Sequence, residues 1–252
     1  MEAVRRAAEA LLDRFSLALT PAEVSTYALW AAYEALGCSD PFEEEKRHYN
    51  QLALGMYPRL KGMVRGRLSA AVKVAAAGNI IDLGILDSVD IEGTIKEIFA
   101  EGFAIDHLDA FLERLDRAER ILYLADNAGE IVFDRVLVEE LRRHGKRVIF
   151  AVKEAPILND ATLEDALAVG IGEVAEVVRT GSGQVGTNLS DCSPEFLKEF
   201  KAADLIISKG QGNFETLSEV EGPIFFILKA KCSEVATELR VKQGEAVFLT
   251  RM

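Results

Sequence analysis

The sequence predicts an α/β protein in which an all-helical N-terminal domain precedes a Rossmann-like three-layer domain with a mostly parallel sheet. Up to about residue 116, apolar residues recur at the three- and four-residue spacing that is typical of amphipathic helices. Beyond that point, short apolar runs alternate with helical stretches, which indicates βαβ units around a parallel sheet. We therefore expect a helical domain over 1–116, forming a substrate lid and pocket wall, and an α/β domain over 117–252.

The starts of two N-terminal helices carry recognisable caps. Thr20 precedes Pro21, and Glu23 follows three residues later, so a helix should begin at 21. The Ser39-Asp40 pair before Pro41 predicts a second start near 41. Further helices are expected over 43–60, 67–77 and, in two pieces separated near Gly102, 91–115.

The strands of the second domain are predicted from its apolar runs. They are expected at 120–125, 147–152, 174–178, 204–208, 223–228 and 246–250. The clearest helix between them runs from Glu130 to His144, where Gly145 supplies a C-terminal glycine.

The composition excludes several classes of function. A formal net charge of −12 argues against binding to nucleic acid or to an anionic membrane, because both partners are held by Lys and Arg. The apolar runs are shorter than the roughly 20 residues that span a bilayer. The N-terminus lacks the features of an export signal, and the three cysteines form no CxxC pair. We expect a cytoplasmic protein, and its oligomeric state stays open.

Polar residues follow the first two predicted strands where ligands bind in such sheets. Asp126 and Asn127 come directly after the first strand, and Asp160 follows the second. Their oxygen atoms are ligands that Mg²⁺ and Mn²⁺ prefer, so the three residues predict a divalent metal site. The alternative is that Asp126-Asn127 and Asn159-Asp160 are turns and helix caps, for which the same residues are favoured.

Two later strands also end in residues suited to an anion. The loop Gly210-Gln211-Gly212-Asn213 lets the backbone approach a ligand closely, although it could equally be an ordinary glycine-rich turn. It is not a phosphate-binding loop of the Walker type, because the GxxxxGK[ST] pattern is missing. Lys229 offers an ammonium group at the end of the fifth strand, where a solvated surface lysine is the alternative.

In combination, these segments resemble the damage-control phosphatase family. The resemblance rests on ADNAGE, ILND, SKGQGNFE and ILKAKC in this order, on AAAGNIIDLG at 75–84 and on DPFEEEKRHYNQLALGMYP at 40–58. This family, formerly a domain of unknown function, includes the human acidic-residue methyltransferase-like protein and the phosphatase domain of pantothenate-kinase fusions. The match is to the stand-alone archaeal or prokaryotic type and covers nearly the whole chain. Prokaryotic members usually begin with a CxxC segment that this sequence lacks.

The resemblance implies roles for individual residues. Metal ligation falls to Asp126, Asn127 and Asp160. Contact with the phosphate or the rest of the substrate falls to Lys229 and to the loop of Gly210, Gln211, Gly212 and Asn213. The helical domain is expected to close the substrate pocket near Asn79 and Asp82.

These residues predict a metal-dependent phosphatase for small phosphomonoesters, such as sugar phosphates, phosphopantetheine-like compounds or damaged phosphometabolites. Mg²⁺ or Mn²⁺ is the expected cofactor, and Co²⁺ or Ni²⁺ could replace it. In the default mechanism the metal orients or deprotonates an attacking water, while Lys229 and backbone N–H groups stabilise the charge in transfer. Attack by Asp126 to give an aspartyl-phosphate is also available, and the sequence does not separate the two. Glu130, one helical turn after Asp126, could act as general base, orient another residue or only complement the helix dipole.

Two other functions stay open. An S-adenosylmethionine-dependent carboxyl methyltransferase would need a glycine-rich turn after the first strand, where Asp126 and Asn127 stand instead. A non-catalytic protein that binds a phosphorylated metabolite would have less use for three metal-binding side chains.

Overall fold

The computed structural model of the chain describes residues 1–80, 93, 99–100 and 102–251. Its helices are α1 (Glu2–Arg14), α2 (Pro21–Leu36), α3 (Glu43–Val64), α4 (Leu68–Ala77), α5 (Leu108–Arg117), α6 (Glu130–Arg143), α7 (Leu163–Ala168), α8 (Pro194–Ala202), α9 (Gln211–Leu217) and α10 (Ser233–Leu239). Its strands are β1 (Ile105–Asp106), β2 (Arg120–Leu124), β3 (Arg147–Val152), β4 (Glu176–Arg179), β5 (Leu205–Lys209), β6 (Ile224–Lys229) and β7 (Ala246–Thr250).

The strands form one seven-stranded sheet in the order β1-β7-β6-β5-β2-β3-β4. Every neighbouring pair is parallel except β6 and β7, which are antiparallel. The predicted α/β class with a mostly parallel sheet is therefore confirmed, and all six predicted strands are present to within two residues at each end. The short strand β1 was not predicted, because two residues carry no period.

Helices cover both faces of this sheet. Apolar side chains of β2, β3, β5 and β6 alternate between two core clusters, as the two-residue period of a strand requires. The first cluster lies under α3, α4, α5 and α6, and the second lies under α8, α9 and α10. Fully buried aromatic rings such as Phe111, Phe133 and Phe225 anchor the first layer, each stabilising the fold by about 1.5–3 kcal/mol.

The order of the strands creates a switch point between β2 and β5. From β2 the chain adds β3 and β4 on one side, then returns to add β5 and β6 on the other. The loops after β2 and β5 consequently diverge, and a crevice opens at their carboxyl ends.

The N-terminal helices confirm most of the predicted starts. Thr20 and Glu23 form the expected capping box at α2. Asp40 does not cap a helix at 41; its carboxylate accepts from the Phe42 N–H at 3.1 Å. The helix predicted over 43–60 does begin at Glu43, and as α3 it continues to Val64.

The division of the chain at 116 stays a prediction; β1, which precedes it, and α5, which spans it, both lie on the sheet. In the helix pair predicted over 91–115, residues 91–92, 94–98 and 101 lie outside the described residues. The second piece was predicted wrongly at its start, because 105–106 pair with β7 as strand β1 and the helix begins only at Leu108.

Within the described part of the chain, no helix is long and apolar enough to cross a membrane.

Candidate active site

Two loops meet at the carboxyl edge of the sheet, one after β2 and one after β3. The Ala128 N–H donates to the Asn159 carbonyl oxygen at 2.8 Å, and the Ala161 N–H donates to the Asp126 carbonyl oxygen at 2.8 Å. These bonds form a short antiparallel bridge between the loops, with Asn127 opposite Asp160. Backbone hydrogen bonds therefore join the segments that carry the predicted ligands.

The structure brings Asp126, Asn127 and Asp160 together. The Asn127 amide nitrogen donates to Asp126 Oδ2 at 3.2 Å, and Asn127 and Asp160 are only 4% and 6% exposed. Because the Asn127 amide nitrogen is turned toward the Asp126 carboxylate, the Asn127 amide oxygen points away from that carboxylate. Three hard oxygen donors on two bridged loops fit Mg²⁺ or Mn²⁺. The described residues contain no group of three His, Cys, Asp or Glu side chains that could hold a metal. The candidate site differs from such a group because its third member, Asn127, is an amide.

Neither pair of polar residues serves as a helix cap. The N-cap of α6 is Gly129, with no side-chain hydrogen bond. The N-cap of α7 is Thr162, which forms a capping box with Asp165. The alternative interpretation of both segments as caps is therefore wrong, and their side chains are available for another role.

The carboxylates at this site repel one another. Burial raises the pKa of Asp126 well above its ordinary value, and the charges of Glu130 and Asp160 raise it further, against Lys231 and Lys209. Burial also raises the pKa of Asp160, which the charge of Lys153 opposes. A divalent cation between the two loops would relieve this repulsion, so the charges of the residues fit a metal.

The structure adds two lysines that the sequence analysis missed. Lys153 is 4% exposed, and its ammonium lies 3.4 Å from Asp160 Oδ2. The charge of Lys231 acts on both Asp126 and Asp160. Lys229 lies on the same face of β6 as Phe225 and Ile227, by the alternation of the strand. Lys231 stands two residues beyond Lys229. The sequence analysis therefore identified the segment that carries both lysines, but it singled out Lys229 and not Lys231.

Gly210 lets the Asp126 carboxylate lie against the end of β5. Its φ is 82°, and a Cβ built there would lie 1.9 Å from Asp126 Oδ2. The glycine is thus required both by its backbone conformation and by the close approach of the carboxylate. The interpretation of this loop as an ordinary turn leaves that contact unexplained.

Asn213, at the end of the predicted loop, is held by hydrogen bonds to neighbouring segments. The Asn213 amide donates to the carbonyl oxygens of Ala125 at 3.1 Å and Lys209 at 2.8 Å, and its oxygen accepts from the Thr187 hydroxyl at 2.7 Å. The side chain of Asn213 therefore joins the ends of β2 and β5, and its predicted contact with substrate is untested.

The side chain of Gln211 is also held by hydrogen bonds within the protein. It donates to Glu215 at 2.7 Å and accepts from the Lys231 N–H at 3.0 Å. Gly212 closely approaches Gly186, since a Cβ on Gly212 would lie 3.3 Å from the Gly186 nitrogen.

A fully buried lysine lies behind the loops that follow β2 and β3. Lys209 pairs with Glu130 and with Asp134, the latter at 2.6 Å, and donates to the Ala75 carbonyl oxygen at 3.0 Å. Burial disfavours its charge, but Asp134 and Glu130 outweigh this effect and raise the pKa of Lys209. Glu130 is completely buried, with Oε2 3.5 Å from the Asn127 amide nitrogen. The sequence analysis had not singled out Lys209.

The residues predicted to close the pocket are only partly described. Asn79 is 3% exposed and follows α4, which packs against α6. The neighbouring Gly78 lies against Glu130, where a Cβ would come within 3.0 Å of Glu130 Cγ. Asp82, which was also predicted to contact the substrate, lies outside the described residues.

Fold and candidate site together define an α/β protein with a cluster of oxygen-bearing side chains at the switch point of its sheet. The chain matches the family described as Damage-control phosphatase ARMT1-like domain over residues 1–247. It therefore belongs to this family, which confirms the resemblance drawn from the sequence and places the chain among the phosphatases.

Individual relatives match nearly the whole chain. An uncharacterized protein from Methanocaldococcus jannaschii is 40% identical, over 98% of this chain and 86% of that protein. A damage-control phosphatase from Pyrococcus horikoshii is 39% identical, over 96% of this chain and 86% of its own. The crystal structure of a DUF89 family protein from Pyrococcus horikoshii superposes with a TM-score of 0.86 at 37% identity, covering 99% of this chain and 89% of that one.

Proposed function

We propose that the chain is a metal-dependent phosphatase that hydrolyses small phosphomonoesters at the carboxyl edge of its sheet. The observation that carries the proposal is the convergence of Asp126, Asn127 and Asp160 on two bridged loops beside the switch point. Lysine charges near these residues suit an anionic substrate. The net charge of −12 makes a local cationic site, rather than the overall field, the source of affinity for phosphate.

In this proposal, Asp126, Asn127 and Asp160 hold Mg²⁺ or Mn²⁺, with Co²⁺ or Ni²⁺ as possible replacements. The chemistry that the cation supplies when bound is neutralisation of phosphoryl oxygens and activation of the attacking water. The buried carboxylates supply negative charge in a region of low dielectric, where their attraction for a cation is stronger than in water. Asn127 adds an oxygen without adding a further charge.

The lysines stabilise charge that develops on the phosphoryl group. Lys231 takes this role first in our proposal, because its charge reaches both metal-binding carboxylates. Lys229 and the backbone of Gly210 to Asn213 contribute further contacts with the substrate. Glu130 orients Asn127 instead of acting as general base, since its carboxylate is buried and paired with Lys209.

Water and Asp126 are both retained as nucleophiles. Asp126 lies against Gly210, between the ends of β2 and β5, where either attack on phosphorus directly or ligation of the metal is available to it. The cytosol is the proposed location, supported by three cysteines that are all free.

The test is phosphate release from a panel of sugar phosphates and phosphopantetheine by metal-stripped protein resupplied with Mg²⁺, Mn²⁺, Co²⁺ or Ni²⁺. We expect metal-dependent release that falls by at least ~100-fold in Asp126→Ala and Asp160→Ala, because each loses a ligand to the metal. Asp116→Ala removes an exposed carboxylate from α5 and should retain full activity.

Two outcomes would contradict the proposal. Phosphate binding without turnover, with any of the four metals, would make the chain a metabolite-binding protein. Transfer of a methyl group from S-adenosylmethionine to carboxylates, without phosphate release, would make it a methyltransferase.

A further inference from the structure

The segment 40–58 contains polar residues that the proposed reaction does not use. Lys46 and Asn50 lie one helical turn apart on α3, and they are only 3% and 5% exposed. Buried polar side chains in the middle of a helix are unfavourable unless partners satisfy them. Their partners therefore indicate why these residues stand here.

Asn50 contacts both metal-binding loops. Its amide oxygen accepts from the Gly129 N–H at 2.6 Å, and Gly129 lies two residues after Asn127. Its amide nitrogen donates to Asp165 Oδ1 at 2.9 Å, and Asp165 caps the helix that follows Asp160. One side chain from α3 thus joins the loop after β2 to the segment after β3.

Lys46 and Thr162 hold Asp165 in place for this contact. The Lys46 ammonium lies 3.2 Å from Asp165 Oδ2 and 2.7 Å from Asp40 Oδ2. The Thr162 N–H donates to the same Asp165 oxygen at 3.0 Å. Both oxygens of Asp165 are therefore occupied, and the geometry of Asn50 is fixed from its far side as well.

A second helix holds the other end of the loop after β3. The Leu158 N–H donates to the Tyr33 hydroxyl oxygen at 2.9 Å. Leu158 has a φ of 47°, a left-handed conformation that side chains other than Gly adopt rarely. Contacts from α2 and α3 thus supplement the two backbone bonds that join the loops.

We propose that Asn50 is a positioning residue, which Asp165 and Lys46 hold so that it fixes the spacing between Asp126-Asn127 and Asp160. The inference rests on the proposed metal site, and it gives the helical half of the chain a role in forming that site. Ligands must be held within about 0.5 Å of the productive geometry, and residues behind them typically change metal affinity ~10- to 100-fold.

The experiment has two readouts, neither of which is activity. Deuterium exchange of peptides spanning 125–131 is measured on metal-free protein, and Mn²⁺ affinity is measured by calorimetry without substrate. In Asn50→Ala we expect the Gly129 amide to exchange at least ~10-fold faster and Mn²⁺ to bind ~10- to 100-fold more weakly. The matched control is Tyr57→Phe, which removes a hydroxyl bond to Glu139 from the same helix and should change neither value.

A charge exchange separates positioning from general damage to the fold. Asn50→Asp keeps an acceptor for Gly129 but sets a carboxylate against Asp165, so it should weaken Mn²⁺ binding. Combining it with Asp165→Asn restores one donor and one acceptor between the two positions, and should recover most of the lost affinity. This comparison also decides the matter if Asn50→Ala does not fold.

Each result has a distinct meaning. Exchange and Mn²⁺ affinity that match the unaltered protein in Asn50→Ala would overturn the positioning role while leaving the metal site intact. A double variant no better than Asn50→Asp would overturn it too. No Mn²⁺ binding by the unaltered protein would overturn the proposed function itself, and the exchange measurement would still report whether Asn50 orders the loop.

Discussion

The α1–α2 hairpin and the carboxyl edge of the sheet distribute polar and apolar side chains in opposite ways. No residue of α1 is buried, and large apolar side chains there and in the turn that follows it face outward, with Leu12 83% and Leu17 94% exposed. At the sheet edge, the charged side chains of Glu130 and Lys209 are completely buried. The polar interior is therefore the more unusual of the two arrangements, because charged residues are almost never fully buried unless paired.

This difference shows which part of the molecule is constrained by geometry. A buried charge is tolerated only if its partners are in place, so the network around Lys209 admits few alternative arrangements. The exposed side chains of the α1–α2 hairpin do not depend on a partner in this way. We expect substitutions at the sheet edge to affect both stability and catalysis, and the following predictions test this contrast.

The largest effect is expected for Lys209→Met. The substitution removes the cation that pairs with Glu130 and Asp134 and leaves both carboxylates buried, so the free energy of unfolding should fall by about 3–5 kcal/mol. Urea denaturation, followed by circular dichroism, measures the change.

Lys61→Met is the control for this prediction. Lys61 pairs with Glu139 at 2.6 Å, but its side chain is 38% exposed, and its loss should cost less than about 1 kcal/mol. Equal losses in the two variants would mean that the buried cluster is no more constrained than a surface ion pair.

Gly210→Ala should have the next largest effect. An added methyl group meets the Asp126 carboxylate and requires a φ of 82° that alanine adopts poorly, so Asp126 must move. We expect phosphate release to fall at least ~100-fold, as small displacements of reacting groups often cause.

Gly145→Ala separates the two causes. Gly145 has a φ of 75°, yet a Cβ there would meet nothing within 4 Å. It should lose about 1 kcal/mol of stability from backbone strain and keep full activity. Should Gly145→Ala lose activity as Gly210→Ala does, contact with Asp126 would not be the reason.

The sequence predicted the fold well where a period extends over several residues. The strands at 147–152 and 246–250 match the structure at both ends, and α6 begins at Glu130 as predicted and ends at Arg143, one residue before the predicted end at His144. The two residues of β1 are too few to show alternation, and they join the sheet only because β7 lies beside them. Tertiary pairing, rather than local preference, decides such an element.

For the candidate site too, the sequence predicted what local patterns determine and missed what depends on contacts between distant residues. That Asp126, Asn127 and Asp160 lie close together could be predicted because they follow strands, and parallel strands end at one edge. Lys209 was overlooked because a lysine beside glycines suggests a surface loop, and its burial depends on Glu130, which is distant in sequence. Contacts between residues so far apart cannot be obtained from spacing alone.

The last prediction concerns the rates at which two cysteines are chemically modified, and it involves no change in stability. Cys38 is exposed just after α2, whereas Cys192 is buried under the second face of the sheet. Burial raises the pKa of the Cys192 thiol to about 11, so only about 0.1% of it is thiolate at pH 8. Iodoacetamide should therefore modify Cys38 of the folded protein at least ~100-fold faster than Cys192, as measured by mass spectrometry of the separate peptides.

The pH dependence distinguishes a high pKa from simple lack of access. Below its pKa of about 11, the thiolate fraction of Cys192 rises about tenfold for each pH unit, so its slow modification should accelerate by that factor between pH 8 and 9. Modification of Cys192 as fast as that of Cys38 at pH 8 would show that the core beside α8 opens as readily as the surface just after α2, and the protection of the interior would then not extend to this face of the sheet.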